Sequence, residues 1–231
     1  MLKVASYNIH KAVGTDRRRN PARIVDVLNE IDADIIALQE ADRRFGARAA
    51  AIPEKLLEMN SDYRAIPLDV QTDSMGWHGN ALLVRKSAEV LEHDIMHIPF
   101  LEPRGAVMGR FEINGKQLAV FGMHLDLSGL WRRRQAAAIV KMAQQQEQNV
   151  PVVLMGDLNE WSAASGCLKD FSRAFNIVDC GRSFHSRSPI ATLDRIMHSH
   201  AIQSLAGGVH DSPAARKASD HLPVWAEITV D

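Results

Sequence analysis

Apolar residues recur along the chain in two patterns, one typical of buried strands and the other of amphipathic helices. Continuous apolar runs predict strands, whereas apolar residues at three- and four-residue spacing predict helices. Asn20 followed by Pro21 is typical of a capped helix start, and the apolar residues of 24–31 then repeat at helical spacing. A second helix is expected over about 129–146, with Ser128 as its cap.

The predicted strands alternate with these helical segments without a linker or a low-complexity tract. Asn114-Gly115 between two of the runs is a strong hairpin-turn signal. Hairpins mixed with strand–helix units predict an α/β (α+β) sandwich with mixed sheets, and we expect a single domain over 1–231. The strand-like runs are 2–8, 34–40, 79–85, 106–113, 117–124, 151–155, 191–197 and 222–230.

Composition narrows the class of protein without identifying it. Lys and Arg number 27 against 28 Asp and Glu, and this balance argues against a protein that coats nucleic acid by bulk charge. Neither Cys167 nor Cys180 lies in a zinc-type or disulfide-type spacing. No run approaches the ~18 apolar residues of a membrane span. We therefore expect a cytoplasmic protein without an integral membrane segment.

Polar residues that could take part in catalysis or metal binding stand at the ends of the apolar runs. Each one alone is an ordinary turn residue, but strand ends at one rim of a sandwich would converge on one site. Gly156 is expected to let the chain turn tightly at the end of the run 151–155. The residues in question are Asn8, Glu40, Asn80, His124, Asp126, Asp157, Asn159, Asp194, Asp220 and His221.

The chemistry of this set is coherent. Carboxylate and amide oxygens without cysteine suit Mg²⁺, for which Mn²⁺ can substitute, better than zinc. Histidines that can pair with acids suit proton transfer and the binding of phosphate charge. Since the chain has neither a G-x-x-x-x-G-K-[ST] loop nor a G-x-G-x-x-G turn after a strand, nucleotide-driven chemistry has no support.

The order of these motifs resembles the endonuclease/exonuclease/phosphatase superfamily over positions 4 to about 228. GDLN alone would be a weak signal, whereas LQE, MHL, GDLN, LDRI and SDH in this order form a specific combination. The resemblance implies a four-layer α/β sandwich like that of deoxyribonuclease I. In such a fold two facing mixed β-sheets are flanked by helices, and the site lies at one rim.

For the metal and the phosphate, the resemblance implies the following roles. Glu40 would be the main ligand of Mg²⁺, helped by Asn8, and Asp220 would be a further ligand. Arg104 would contact the substrate phosphate, and Asn80 would line the site.

For catalysis, the resemblance implies that Asp157 orients or deprotonates the attacking water. Asn159 would hydrogen-bond to the developing phosphorane. Asp194 and His221 would form a buried acid–imidazole pair that meets the phosphate, and His124 would be the second histidine of deoxyribonuclease-like members.

The resulting hypothesis is a Mg²⁺-dependent phosphodiesterase of the endonuclease/exonuclease type, with nucleic acid as one candidate substrate. A phospholipid or inositol-phosphate phosphatase or phosphodiesterase is the alternative, and a non-catalytic scaffold is the least favoured. No obligate protein partner can be inferred. Arg17-Arg18-Arg19 could bind a polyanion or be solvated, whereas Arg132-Arg133-Arg134 are expected to form a solvated basic face.

Overall fold

The protein folds as two facing six-stranded sheets with helices on both outer faces. The structure is a computed structural model that describes residues 1–43, 49–68, 73–162 and 165–230. Within these ranges the helices are α1 (Pro21–Ile31), α2 (Glu54–Asn60), α3 (Gly129–Glu147), α4 (Leu168–Ser172) and α5 (Pro213–Ala218). None of them is long and apolar enough to cross a bilayer.

The first sheet has the strand order β11-β12-β1-β2-β4-β3, in which β1 and β2 form a parallel pair. The other neighbours are antiparallel. Its strands are β1 (Leu2–Asn8), β2 (Ile35–Gln39), β3 (Tyr63–Ala65), β4 (Ala81–Arg85), β11 (Ile202–Val209) and β12 (Val224–Val230).

The second sheet has the order β5-β6-β7-β8-β10-β9, with β7 and β8 as its parallel pair. The remaining pairs are antiparallel. Its strands are β5 (Glu89–Met96), β6 (Gly105–Ile113), β7 (Lys116–His124), β8 (Val152–Asp157), β9 (Asn176–Val178) and β10 (Asp194–His198). Both sheets are mixed, as the sequence predicted.

Three apolar clusters separate the four layers. One fills the space between the sheets, another lies under α1, α2 and α5, and the third lies under α3 and α4. Strand β1 contributes to two of them, since Val4 faces the other sheet while Ala5 and Tyr7 face the helices. This alternation is the two-residue period of a strand buried on both faces. The predicted four-layer sandwich is thus confirmed.

Most predicted elements are present, with ends shifted by a few residues. Asn20 caps α1 through its Oδ1, which accepts from Arg23 N at 3.3 Å, with Pro21 in the first turn. Ser128 occupies the cap position of α3, but its side chain makes no capping hydrogen bond. Its N–H instead donates to Asp126 at 2.9 Å.

The two parallel pairs bring their carboxyl ends to the same edge of the sandwich. Strands β1 and β2 end at Asn8 and Gln39, and β7 and β8 end at His124 and Asp157. Asn8 Nδ2 donates to Asp157 Oδ2 at 2.9 Å and so joins the two sheets there. We call this the carboxyl edge.

Gly156 does not have the expected role, because it lies inside β8 and not in a turn. A Cβ at this position would lie 1.9 Å from the Met123 carbonyl oxygen on the neighbouring β7. The glycine therefore permits a close approach of two backbones just before Asp157, and the prediction of a tight turn was wrong.

Replacing Gly156 with Ala should destabilise the protein, because the new methyl group must displace the β7 backbone at Met123. Overpacking of this kind costs about 1–3 kcal/mol or more. Gly129→Ala is the matched control, since a Cβ there meets only Arg132 Nη2 at 3.6 Å. Urea unfolding should show a lower free energy of unfolding for Gly156→Ala alone. Equal stability of the two variants would contradict this account.

Candidate active site

The Asp157 carboxylate is the centre of the site and is almost completely buried. Its Oδ2 accepts from Asn8 Nδ2 and lies 3.3 Å from His124 Nε2 and 3.7 Å from His221 Nε2. Its Oδ1 accepts from the Asn159 main-chain N–H at 2.9 Å. The structure therefore brings five of the predicted residues, from four separate chain segments, into one group.

His221 is held as a cation between two acids. Its Nδ1 lies 2.8 Å from Asp194 Oδ2. Burial alone would lower the pKa of His221, but the carboxylates of Asp194 and Asp157 raise that pKa to about 10. For Asp157, burial alone would raise the pKa, and the charges of His221 and His124 lower it below its usual range. At neutral pH the site therefore contains a carboxylate beside an imidazolium.

Asp194 opens β10 directly opposite Asp157 in the antiparallel pair of β10 and β8. Ser183 Oγ donates to the same Asp194 oxygen that meets His221, at 2.5 Å. The other oxygen, Asp194 Oδ1, is buried without a hydrogen-bond partner. Phe184 covers the outer side of His221 with the ring centroids 4.8 Å apart. Sequence reasoning missed Ser183 and Phe184, since nothing in the pattern around 183–188 separates them from an ordinary loop.

Asn159 has a positive φ of 50° and turns the chain away from β8. Its Nδ2 donates to the Leu125 carbonyl at 2.8 Å, which ties this turn to the segment after β7. Leu158 between the two polar residues is buried in the cluster under α3, as the alternation of the motif predicts.

Glu40 follows β2 with a φ of 54° and is contacted at Oε2 by the Lys11 ammonium. The Lys11 N–H also donates to the Glu40 carbonyl at 3.1 Å. Burial alone would raise the pKa of Glu40, but the charges of His124 and Lys11 lower it. Lys11 was missed by sequence reasoning, although a cation three residues after Asn8 was the available signal.

Arg104 lies against His124, with Nη1 2.8 Å from Nδ1 of the ring. The predicted phosphate contact and the predicted second histidine are therefore neighbours. They line a cavity of about 90 Å³ beside Glu40. Its walls include Lys11, Glu40, His78, Glu102, Arg104 and His124.

Two of the predicted site residues, Asn80 and Asp220, make their contacts with residues other than Asp157. Asn80 is buried, its Nδ2 donates to the Trp77 carbonyl at 3.2 Å, and its Oδ1 has no partner. Asp220 has its Oδ1 3.7 Å from His10 Nδ1. Both remain predictions as site residues.

The donor set fits a hard divalent cation. Glu40, Asn8 and Asp220, the predicted ligands, each contact the short 3-10 helix His10–Ala12 and would supply oxygens, with no sulfur among them. The Lys11 ammonium at Glu40 shows that positive charge is stabilised at this point. Ligand atoms of Asp157, Asp194 and His221 also lie within 4.8 Å of one another. Because His221 and Asp194 are hydrogen-bonded to each other, this second group is better suited to proton transfer than to metal binding.

The two arginine runs named in the sequence differ in the exposure of their side chains. Arg132 is not solvated as expected: it donates to the Leu127 carbonyl at 2.6 Å, and its Nε lies 3.4 Å from the buried Glu160 carboxylate. Arg133 and Arg134 are exposed, as predicted for a solvated face, and Arg17-Arg18-Arg19 are exposed as well. The role of Glu160 was not predicted.

Comparison with known proteins agrees with the fold and identifies the family. The chain matches the family described as the Endonuclease/Exonuclease/phosphatase family over residues 5–221, and it belongs to that family. No curated protein matches it in sequence.

Several solved structures share the fold. An endonuclease/exonuclease/phosphatase from Bacteroides vulgatus is 18% identical, with a TM-score of 0.79 and coverage of 100% of this chain and 99% of that chain. A mannosyl-6-phosphatase of Bacteroides thetaiotaomicron is 21% identical, with a TM-score of 0.78 and coverage of 99% and 100%. TDP2 of D. rerio, complexed with a single-stranded DNA product, is 16% identical, with a TM-score of 0.76 and 99% coverage of both chains. Likeness at these identities establishes the fold.

Asp126, two residues after the end of β7, organises the loops that follow β7 and precede β6. Its Oδ2 accepts from the N–H groups of Leu101 and Glu102, at 3.2 and 3.1 Å, and its Oδ1 accepts from that of Ser128. Burial alone would raise the pKa of Asp126, but these three bonds lower it.

Asp126→Asn should therefore destabilise the protein at neutral pH, because an amide group cannot accept on both sides. Hydrogen bonds to a charged group contribute about 1.5–3 kcal/mol. A lowered carboxyl pKa stabilises the fold above the unfolded value of about 3.9, and this contribution is lost as the pH falls through the folded value. The gap between wild type and variant, measured by urea unfolding, should narrow below about pH 4. Asp179→Asn at an exposed carboxylate controls for net charge, and a gap independent of pH would contradict the account.

Proposed function

We propose that the protein is a Mg²⁺-dependent phosphodiesterase in which Asp157 activates the attacking water. The observation that supports this most directly is the Asp157 carboxylate, held in its charged form against Asn8, His124 and His221. Phosphoester chemistry is also consistent with the fold, which a mannosyl-6-phosphatase and a TDP2 complex with a DNA product share.

The proposed reaction is the in-line attack of water on a phosphodiester. Asp157 orients the water and accepts its proton, since a base must lie within hydrogen-bond reach of the nucleophile. The His221 imidazolium donates from Nε2 to a phosphate oxygen while Asp194 holds its Nδ1. Donors placed where negative charge develops stabilise the transition state more than the ground state.

Arg104 and His124 would help to neutralise the charge of the substrate phosphate. Arg104 and His124 lie in contact and line the cavity next to Glu40. Glu40, Asn8 and Asp220 would hold Mg²⁺, which when bound acts as a Lewis acid on a phosphate oxygen. Arg104 and His124 add donors for the phosphate beside those of His221, and the resemblance of His124 to the second histidine of deoxyribonuclease-like members favours diesters over monoesters.

Asp157→Ala and His221→Ala should each lower turnover of an aryl phosphodiester by about a thousandfold or more, as expected for groups that act directly on the reacting atoms. Circular dichroism and thermal unfolding should show that both variants remain folded. Asp179→Ala and His200→Ala, at exposed positions, should keep the wild-type rate. Near wild-type turnover in either site variant would refute the proposed roles.

Activity should require Mg²⁺ or Mn²⁺ and disappear in EDTA. Glu40→Gln removes the charge of the proposed main ligand and should raise the Mg²⁺ concentration for half-maximal rate on the order of tenfold or more. Titrating Mg²⁺ in the aryl phosphodiester assay measures this shift. Full activity in EDTA would exclude the metal dependence while leaving the roles of Asp157 and His221 open to the first test.

A further inference from the structure

Large apolar side chains are exposed around the entrance of the candidate active site. Among the described residues, ten large apolar side chains are exposed, and six of them lie beside the site, five in loops and Leu130 in the first turn of α3. The other four, Met1, Met59, Ile177 and Leu205, lie elsewhere in the chain. We call the six the apolar rim: Phe100, Leu101, Leu127, Leu130, Trp161 and Ile190.

The strand pairing places the whole apolar rim at the carboxyl edge. Because β7 and β8 are parallel, the segments with Leu127 and Trp161 leave the sheet on the same side. Strand β6 is antiparallel to β7 and pairs Gly105 with His124, so the loop before β6 lies on that side. Strand β10 likewise pairs Asp194 with Asp157, which places the loop before β10 there as well.

Specific contacts join these loops into one surface. Leu101 N donates to Asp126, and Arg132 bridges the Leu127 carbonyl and Glu160. The next residue, Trp161, makes an edge-on contact with Phe184, with the ring centroids 5.9 Å apart.

The same chain of contacts reaches the catalytic group. Ile190 N donates to the Phe184 carbonyl at 2.7 Å, and the Phe184 ring lies against His221. The apolar rim is therefore continuous with the site and not a scatter of single side chains.

This degree of exposure is not explained by packing within the chain. Trp161 is 63% exposed, and Leu127 and Leu130 are 58% and 59% exposed, although each buried apolar side chain would stabilise the fold. Isolated exposed apolar residues are ordinary, whereas a group of them beside a site marks a docking surface.

Cations accompany the apolar rim. Arg133 and Arg134 are exposed in the first turns of α3, four or fewer residues after Leu130. Arg17-Arg18-Arg19 are exposed in the loop that follows β1, which ends at the same edge with Asn8. Since the net charge of the chain is -1, this local concentration of arginine does not reflect a general excess of positive charge. The occupant of the surface should be both apolar and anionic.

We propose that the carboxyl edge docks on a bilayer that contains anionic phospholipids, and that the substrate is a phosphoester in that surface. Aliphatic chains predominate in the apolar rim, and a lipid surface buries them, whereas nucleic acid bases stack on aromatic side chains. Tryptophan and arginine suit the headgroup layer, where an apolar body and a polar tip are both satisfied. The assignment of the substrate rests on the proposed phosphodiesterase activity, whereas the docking on a bilayer does not depend on that activity.

Sedimentation with vesicles tests the docking. Wild-type protein should bind vesicles of phosphatidylcholine with 30% phosphatidylglycerol, bind pure phosphatidylcholine vesicles less, and dissociate as salt is raised. The double variant Leu127→Ser/Leu130→Ser and the variant Trp161→Ser should each weaken binding at least tenfold. Met59→Ser and Leu205→Ser are matched controls, since they remove exposed apolar side chains away from the edge and should bind as wild type does.

A parallel assay keeps failure of the docking apart from failure of the proposed activity. The apolar-rim variants should hydrolyse a small water-soluble aryl phosphodiester at the wild-type rate and lose hydrolysis of vesicle phospholipid. Wild-type hydrolysis of the soluble ester without vesicle binding would overturn the inference and leave the proposed function standing. Vesicle binding without hydrolysis of either ester would support docking and contradict the phosphodiesterase.

Two other occupants would also overturn the inference. If the variants lose affinity for a single-stranded oligonucleotide while vesicle binding is unchanged, the surface binds nucleic acid. If wild type is a dimer by light scattering and the double variant is a monomer, the surface joins two copies of the chain. Equal vesicle binding by the apolar-rim variants and the controls would exclude the apolar rim as the contact.

Discussion

The hydrogen bond from Asn8 to Asp157 is the interaction on which the arrangement of the site depends. It joins residues 149 positions apart, one at the end of each sheet's central parallel pair. A buried carboxylate is costly unless it is paired and hydrogen-bonded, so Asp157 is stable only while Asn8, His124 and His221 surround it. The charged state of the catalytic group therefore depends on the correct stacking of the two sheets.

The same requirement explains why the catalytic groups lie at strand ends. Within a sheet the alternation of side chains leaves little room for charge between two apolar layers. At the carboxyl edge the strands end, the chain turns, and polar side chains such as Asn8 and Asp157 can meet across the gap between the sheets. The loops can then differ in chemistry without disturbing the core. The loop after β1 carries Arg17-Arg18-Arg19, whereas the segments beside the second sheet carry the apolar rim.

Much of the fold could be predicted because continuous apolar runs such as 2–8 and 117–124 are buried on both faces. Strands that were not predicted lack that signal. Within the described ranges strand β11 pairs only with β12, and most of its residues are exposed, so its pattern does not resemble a buried strand. Strand β5 at the edge of the other sheet is similar. Short helices such as α5 have too few turns for a periodic pattern.

Residues of the site were predictable where an ordered motif carried them, as for Asp157 and His221. Ser183, Phe184 and Glu160 could not be predicted, because their roles come from contacts across the fold with Asp194, His221 and Arg132. Gly156 shows the same limit. The sequence around it indicated a turn, whereas the close approach of the β7 backbone at Met123 explains why this position is a glycine.

The ion pair between Lys11 and Glu40 has a consequence for the stability of the site before a metal ion binds. A partly buried glutamate such as Glu40 is less stable without a counter-ion, and many metal sites leave this cost to be met by the metal. Here the ammonium group on the neighbouring turn already balances Glu40. The charge of Glu40 is therefore compensated within the chain itself, and this turn does not require a bound cation for that purpose.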